Sequence, residues 1–293
     1  MENDQLRYLS INPQDEEWGL VVTTIGYQFI PPNGPYPLSR HPDQYNFTPS
    51  EQRTLNEYQL VYITKGSGSF TSLSVKKQNV TEGTMMMLFP GEWHNYYPAS
   101  ETGWDEYWVG FRGELADRLI EKQFLGKEEP LFHIGISPTI IDLYDKILGF
   151  AKQEKTGYQQ MIASMAMHIL GAVYYKQKNV PFKGSYLEEK IIEARQLIKA
   201  NIGGSFSQED IAKQLGLGYS WFRRMFKEYT GISPAQYQLQ QTILKAKELM
   251  TDTSLNISEV AYRLHFENSS QFSTFFKKKE GITPSQFRER MKR

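Results

Sequence analysis

Two short runs of basic and hydroxyl side chains hold the most specific chemistry in this chain. In Tyr219-Ser-Trp-Phe-Arg-Arg-Met-Phe-Lys227 a helical period puts Phe222, Met225 and Phe226 on one face. Tyr219, Ser220, Arg223, Arg224 and Lys227 are left on the other. An arginine can grip guanine with two parallel donors in the major groove, and lysine or hydroxyl groups can hold phosphates. In the run 269–277, Phe272, Phe275 and Phe276 take the inner face, leaving Ser269, Ser270, Gln271, Ser273, Thr274 and Lys277 outside. That second face is shorter and more neutral, with less capacity to discriminate bases.

The two runs belong to an internal repeat. Ile211-Ala212 with Leu215 returns as Val260-Ala261 with Leu264. Phe222, Phe226-Lys227 and Gly231-Ile-Ser-Pro-Ala-Gln-Tyr237 return as Phe272, Phe276-Lys277 and Gly281-Ile-Thr-Pro-Ser-Gln-Phe287, one residue further on. Two copies are too few for a solenoid and describe duplicated subdomains. Each has the parts of a helix-turn-helix. Ser207-Gln-Glu-Asp210 resembles a capping box without Glu or Gln in fourth place, and Ser258 with Glu259 opens the second copy. Leu215-Gly-Leu-Gly218 makes the first turn, a second helix runs from about Tyr219 to Tyr229, Gly231 caps it, and Pro234 restarts the chain. In the second turn His265 stands where glycine would relieve a positive φ. Solvated helical hairpins would explain one copy; two copies with matching turns, caps and basic exits favour nucleic-acid reading.

These residues resemble the DNA-binding region of the AraC/XylS family of bacterial regulators from about Ser207 to Arg288, most specifically in Met225-Phe-Lys-Glu-Tyr-Thr-Gly231 and Gly281-Ile-Thr-Pro-Ser-Gln-Phe-Arg288. The resemblance implies two helix-turn-helix units, joined by a long helix over about Pro234–Met250, that enter successive major-groove turns of double-stranded DNA. It also implies base contacts from Ser220, Arg223 and Arg224 in the first unit and Gln271, Ser273 and Thr274 in the second. Gly218, Thr242 and His265 depart from the usual serine, arginine and glycine of that pattern.

The rest of the chain sets the context. Its 293 residues contain 33 Lys and Arg against 33 Asp and Glu. Glu188–Arg293 holds 17 basic against 12 acidic residues, a net of +5, which leaves −5 for residues 1–187. There is no cysteine, which excludes disulfides, thiolate metal sites and a thiol nucleophile. The start MENDQLRYLS, acidic and polar, is not expected to act as a secretory signal, and no run approaches the length needed to cross a bilayer, Met85–Phe89 being only five apolar residues. A cytoplasmic protein without membrane partners is expected.

From about residue 18 to 112 short runs with turn signals predict a β-sandwich or barrel: Tyr58–Thr64, a turn at Lys65–Gly68, Ser69–Val75, Met85–Phe89, Trp93–Tyr97 and Trp104–Phe111. From Gly113 to Lys178 the period becomes helical. Ser137-Pro138 opens one helix, and Met161, Met165, Ile169 and Val173 form a stripe that packs on the barrel, makes a dimer seam, or both. The resemblance to the AraC/XylS family implies that residues 1–178 are a ligand-binding and dimerisation domain, 179–187 a linker and 188–293 the DNA-binding domain. The fold class is α+β: a cupin-like β-barrel with a helical dimerisation segment, then an all-α double helix-turn-helix.

Tyr58–Gly68, Gly83–Tyr96 and Trp104–Arg112 resemble the cupin-type sensor domain of sugar-responsive members of the same family. A sugar site needs an aromatic face and several polar groups. Trp93, Tyr96, Tyr107 and Trp108 could supply the first, and Arg53, His94 and Glu106 the second; Arg53, Tyr96, Glu106 and Trp108 are favoured by family position. Aromatics alternating on strands also serve as core. Pro90-Gly-Glu-Trp-His94 matches half of a metal-dependent cupin pattern, but the five histidines are scattered, and no phosphate loop, dinucleotide fingerprint or nucleophile elbow is present. The resemblance implies a homodimeric, non-enzymatic regulator, an activator rather than a repressor, with no cofactor and a sugar as effector. The rivals are a metal-dependent cupin enzyme with a DNA-binding tail and a regulator whose barrel only dimerises.

Overall fold

The computed structural model describes residues 5–37, 53–179, 185–202, 204, 207–251 and 255–291. Positions 180–184 of the expected linker lie outside them. The chain divides into two compact units, Met1–Val180 and Pro181–Arg293.

The first unit runs β1 (Gln5–Tyr8), α1 (Pro13–Glu16), β2 (Val21–Ile30), β3 (Arg53–Thr54), β4 (Tyr58–Ser72), β5 (Gln78–Thr81), β6 (Thr84–Leu88), β7 (Trp93–Pro98), β8 (Trp104–Arg112), α2 (Glu114–Glu121), β9 (Leu131–His133), α3 (Pro138–Gln153) and α4 (Tyr158–Asn179). The larger layer has the order β1-β2-β8-β4-β6-β9, all antiparallel; β3, β7 and β5 form a second layer around the far half of β4. One strand therefore serves both layers. Tyr58–Ile63 pairs with β6 and β8, and Ser67–Ser72 pairs with β5 and β7. The handover is a register shift between Ile63 and Lys65 followed by Gly66 at φ +87. A Cβ there would lie 2.2 Å from the Gly103 carbonyl oxygen, so only glycine fits. The expected turn at Lys65–Gly68 is thus a corner within one strand. Among the described residues no ladder joins β1 to β9, so the expected barrel is an open two-layered sheet.

Alternation along the strands gives the larger layer two buried faces. Ile25, Leu60, Tyr62, Met85 and Val109 face the helices, where they meet Ile140, Tyr144 and Ile147 of α3 and Ile162, Ala166, Ile169 and Val173 of α4. Ile30, Val61, Ile63, Met86 and Trp104 face the second layer. Of the stripe predicted on α4, Ile169 and Val173 are buried in this core and Met165 packs at its edge, whereas Met161 is 46% exposed. The Gln159 amide pins α4 to β2 by bonding both N and O of Val22, at 3.2 and 3.0 Å.

The second unit consists of α5 (Tyr186–Ala200), α6 (Gln208–Gln214), α7 (Tyr219–Thr230), α8 (Pro234–Thr251), α9 (Ile257–Arg263), α10 (Ser269–Glu280) and α11 (Pro284–Met291). It has two small cores. Ile191, Ala194 and Ile198 of α5 pack with Ile211, Ala212, Phe222, Phe226 and Tyr237. Ile243, Ala246 and Met250 pack with Val260, Ala261, Phe272, Phe276 and Phe287. Helix α8 puts Tyr237 in the first core and its later turns in the second, so it joins the two copies as a continuous strut. Asp210 completes the first capping box with Ser207. The second opens at Asn256, whose side chain pairs with Glu259; Ser258, expected to open it, lies inside the first turn. Gly231 and Gly281 end α7 and α10 in the left-handed region, at φ 81 and 77.

The turns of the two copies differ in one respect. Gly216 adopts φ +71 without strain, and His265 adopts φ +58 with a side chain attached. A left-handed non-glycine residue costs roughly 1–2 kcal/mol, part of which glycine returns as unfolded-state freedom. His265→Gly should therefore raise the unfolding free energy by about 1 kcal/mol, read from the midpoint of urea denaturation. A midpoint that stays put or falls would mean that this turn holds no strain.

Candidate ligand pocket and nucleic-acid interface

The inner face of the larger layer changes character along its strands. Around Ile30, Val61 and Trp104 it is apolar; towards the other end it presents Thr24, Gln28, Gln59 and Glu106, all buried or nearly so. Register explains the grouping. Gln28 stands opposite Glu106, Gly26 opposite Trp108, and Thr24 and Gln59 flank Gly110 from either side. A Cβ on Gly26 would come within 2.1 Å of Trp108 Cζ2, so the bare backbone lets the indole lie across β2. Gly110 leaves room for the buried Glu57 carboxylate, whose Oε1 accepts from Thr24 Oγ1 at 3.3 Å and Gln59 Nε2 at 2.8 Å. Glu57 thereby fixes two pocket-lining side chains from behind.

The second layer supplies the opposing wall. Arg53 Nη2 donates to the Tyr96 hydroxyl at 2.9 Å, with the guanidinium 5.4 Å from the ring centre. Arg53 Nε points at His94 Nε2, 3.3 Å away, and His94 Nδ1 lies 3.1 Å from the Glu92 carbonyl oxygen. Since arginine only donates and a carbonyl only accepts, the proton belongs on Nδ1 and the ring is neutral. Burial, with the Arg53 charge adding to it, lowers the His94 pKa to about 3. His94 positions Arg53 and does not line the cavity.

Tyr8, Thr24, Gln28, Tyr36, Pro37, Arg53, Gln59, Tyr96, Glu106 and Trp108 enclose a cavity of about 20 Å³. That is room for about one water molecule. Four of the five residues predicted for this site, Arg53, Tyr96, Glu106 and Trp108, line it. Tyr107 faces the other side, against Tyr27 and Tyr144 at 4.6 and 5.4 Å between ring centres, because neighbours on a strand alternate. Trp93 is not part of the lining either. The sequence reading missed Tyr8, Thr24, Gln28, Tyr36 and Gln59. For Thr24 and Gln28 a signal existed: polar side chains an even number of positions from Ile30, on the same face of a largely apolar strand.

Glu106 dominates the electrostatics. Its Oε1 accepts from the Gln28 amide, and its Oε2 is buried with no hydrogen-bond donor among the described residues. Burial pushes its pKa to about 7, against the pull of the Gln28 bond, the Arg53 charge and a bond from the Tyr36 hydroxyl. A carboxyl group with one unanswered oxygen beside an aromatic face is suited to receive a hydroxyl donor.

On α7, Ser220, Arg223, Arg224 and Lys227 are exposed, and Tyr219 is half-buried against the first core. On α10, Ser270, Gln271, Thr274 and Lys277 are exposed, with Ser269 and Ser273 half-buried. Gln271 closes its own turn: its Oε1 accepts from Glu267 N at 3.1 Å, while its N–H donates to the Asn268 side chain at 2.8 Å. The outward face of α7 also holds Trp221, 36% exposed, which the sequence reading passed over.

The comparisons with known proteins meet this geometry at both ends. A helix-turn-helix domain model matches residues 211–290, and an AraC-like ligand-binding domain model matches residues 33–170. The chain belongs to the AraC/XylS family of DNA-binding transcription regulators. Among its AraC-family relatives is the Msm operon regulatory protein of Streptococcus mutans serotype c, 26% identical over 84% of this chain and 87% of that protein. Another is the lactose operon transcription activator of Staphylococcus xylosus, 23% identical over 83% and 86%. The arabinose operon regulatory protein of Escherichia coli is 25% identical over 75% and 80%. The chain pairs an AraC-like ligand-binding domain with a helix-turn-helix domain. No helix among its described residues is long and apolar enough to cross a membrane.

The two buried titrating groups pull stability in opposite directions with pH. Folded, Glu106 keeps a proton that the unfolded chain releases between 4.5 and about 7, so its contribution declines as pH rises through that window. His94 stays neutral when folded but takes a proton on unfolding below its ordinary 6.5, so its contribution declines as pH falls from 6.5 to about 3. Glu106→Gln should raise the melting temperature at pH 8, leave it nearly unchanged at pH 4.5, and preserve the acid-side loss. A variant no more stable than the parent at pH 8 would show that Glu106 bears no burial cost.

Proposed function

We propose that this chain is a sequence-specific activator of transcription, non-catalytic and cytoplasmic, controlled by a sugar bound between Trp108 and the Glu106–Gln28 pair. The observation that carries this reading is the buried Glu106 Oε2, which lacks a donor, beside an indole laid flat over Gly26. A sugar presents apolar C–H faces for the indole and hydroxyl groups for Glu106, Arg53, Gln28 and Gln59. The operon regulators of lactose and arabinose among the relatives support the same ligand class.

Ligand pockets run to roughly 300 Å³ or more, so the 20 Å³ cavity belongs to a closed form that must widen. Tyr8, on the four-residue edge strand β1, and Tyr36, just past β2, are the covering groups least held by the sheet. A sugar that binds only the widened form shifts the population towards it. Ser220, Arg223, Arg224 and Lys227 contact DNA from α7, and Ser270, Gln271, Thr274 and Lys277 from α10, with Tyr219, Ser269 and Ser273 at the margins. The active species is a homodimer through the face of α4 turned from its core, where Met161 and Tyr175 are 46% and 68% exposed. A monomer by sedimentation would remove that part of the reading.

Two experiments test the rest. In a thermal-shift screen against sugars and small acids, at least one sugar should stabilise the parent chain and leave Trp108→Ala unmoved; a response to acids alone would replace the ligand class. Arg224→Ala should lose roughly 1–3 kcal/mol of binding to a selected operator and relax preference at one base pair. An equal loss on all duplexes would make Arg224 a phosphate contact.

A further inference from the structure

On α7, the helix proposed to enter the major groove, Trp221 keeps 36% of its surface exposed. Trp221 is the third residue of α7, between Ser220 and the Phe222 that anchors the first core. It packs in neither core, and its ring stands outside the Phe222–Phe226–Tyr237 stack. Tyr219, two residues earlier, packs at the edge of that core, so the exposure of Trp221 does not come from a frayed helix end. With Ser220 and Arg224 it occupies the N-terminal half of the helix, the part of a recognition helix that reaches base edges.

The chemistry of the groove limits what such a side chain can read. Every base edge there presents hydrogen-bond donors and acceptors except at one place, the 5-methyl group of thymine. An indole lowered onto guanine, cytosine or adenine edges strips water from polar groups without replacing their bonds. Lowered onto a thymine methyl, it buries apolar surface on both partners. We propose that Trp221 is a specificity-determining residue that selects thymine through its methyl group at one position of the site read by the first helix-turn-helix unit. The repeat sharpens the assignment: the matching position of the second unit is Gln271, a side chain suited to adenine and already engaged with Glu267 N. The two units are then not interchangeable readers, and the operator halves they meet differ in sequence.

The proposal rests on the DNA-reading role of α7, and the test separates the two. Duplexes are selected from a random pool with the full chain, and deoxyuridine then replaces thymidine one position at a time in the enriched duplex. Loss of the methyl group alone should weaken the parent chain roughly fourfold at one thymine, the worth of one buried methyl group, and the effect should vanish in Trp221→Ala and persist in Trp221→Phe. Trp221→Ala should keep the parent's helical content by circular dichroism, since the ring belongs to neither core. Sensitivity to deoxyuridine that survives in Trp221→Ala, or equal weakening of that variant on all duplexes, would place the indole on the backbone and overturn the proposal. A pool that enriches for no sequence would remove the DNA-reading role itself, and the proposal with it.

Discussion

The first unit depends on one strand turning a corner. Strand β4 belongs to both layers of the sheet because Gly66 adopts a left-handed conformation at φ +87 and passes so near the Gly103 carbonyl that a Cβ would lie 2.2 Å from its oxygen. Beyond that corner the strand faces its own first half across a shared interior. Without it β7 and β3 would not be carried over the inner face of β2 and β8, and Arg53 and Tyr96 would have no opposing wall. Pocket and fold are therefore the same construction.

What makes the interior a site rather than a second core is the placement of its polar side chains. Buried polar groups cost free energy unless they are answered. Here nearly all are answered by one another: Glu57 by Thr24 and Gln59, His94 by Glu92 and Arg53, Tyr96 by Arg53. Among the described residues, Glu106 Oε2 and Trp104 Nε1 are left unanswered in this interior, and of the two only Glu106 lines the cavity. Several supporting bonds serve to hold one group in a state that binding can improve, which is the economy expected of a preorganised pocket. Two glycines, 26 and 110, act in the same cause by giving their side-chain volume to Trp108 and Glu57.

The helical unit was the more legible of the two in the sequence, for a physical reason. Its turns, caps and cores are local, so Ile211-Ala212, Phe222, Phe226 and Gly231 announce themselves within a few residues, and duplication repeats the message. His265 was readable as a left-handed residue, and it is one. Ser258 misled because Asn256, two residues earlier, offers an equally good cap and has Glu259 at the right distance. In the sheet the information is non-local. Lys65-Gly-Ser-Gly68 has the composition of a hairpin turn, and only pairing with strands 12 to 40 residues away along the chain makes it a corner. Arg53, Tyr96, Glu106 and Trp108 were found through family resemblance. Gln28, Gln59 and Thr24 were missed because a polar residue in a strand is ordinarily read as facing water, and the helices covering the outer face were needed to show that both faces are buried.

The proposed function requires occupancy of the pocket and binding of DNA to be coupled. Reciprocal titration measures that coupling directly: the affinity of the full chain for its selected duplex with and without the sugar, and for the sugar with and without the duplex. Linkage requires the same factor in both directions, and a factor of roughly 5–150, equivalent to about 1–3 kcal/mol, is the predicted result. Sugar that binds while leaving duplex affinity unchanged would contradict the account, whatever else the pocket holds.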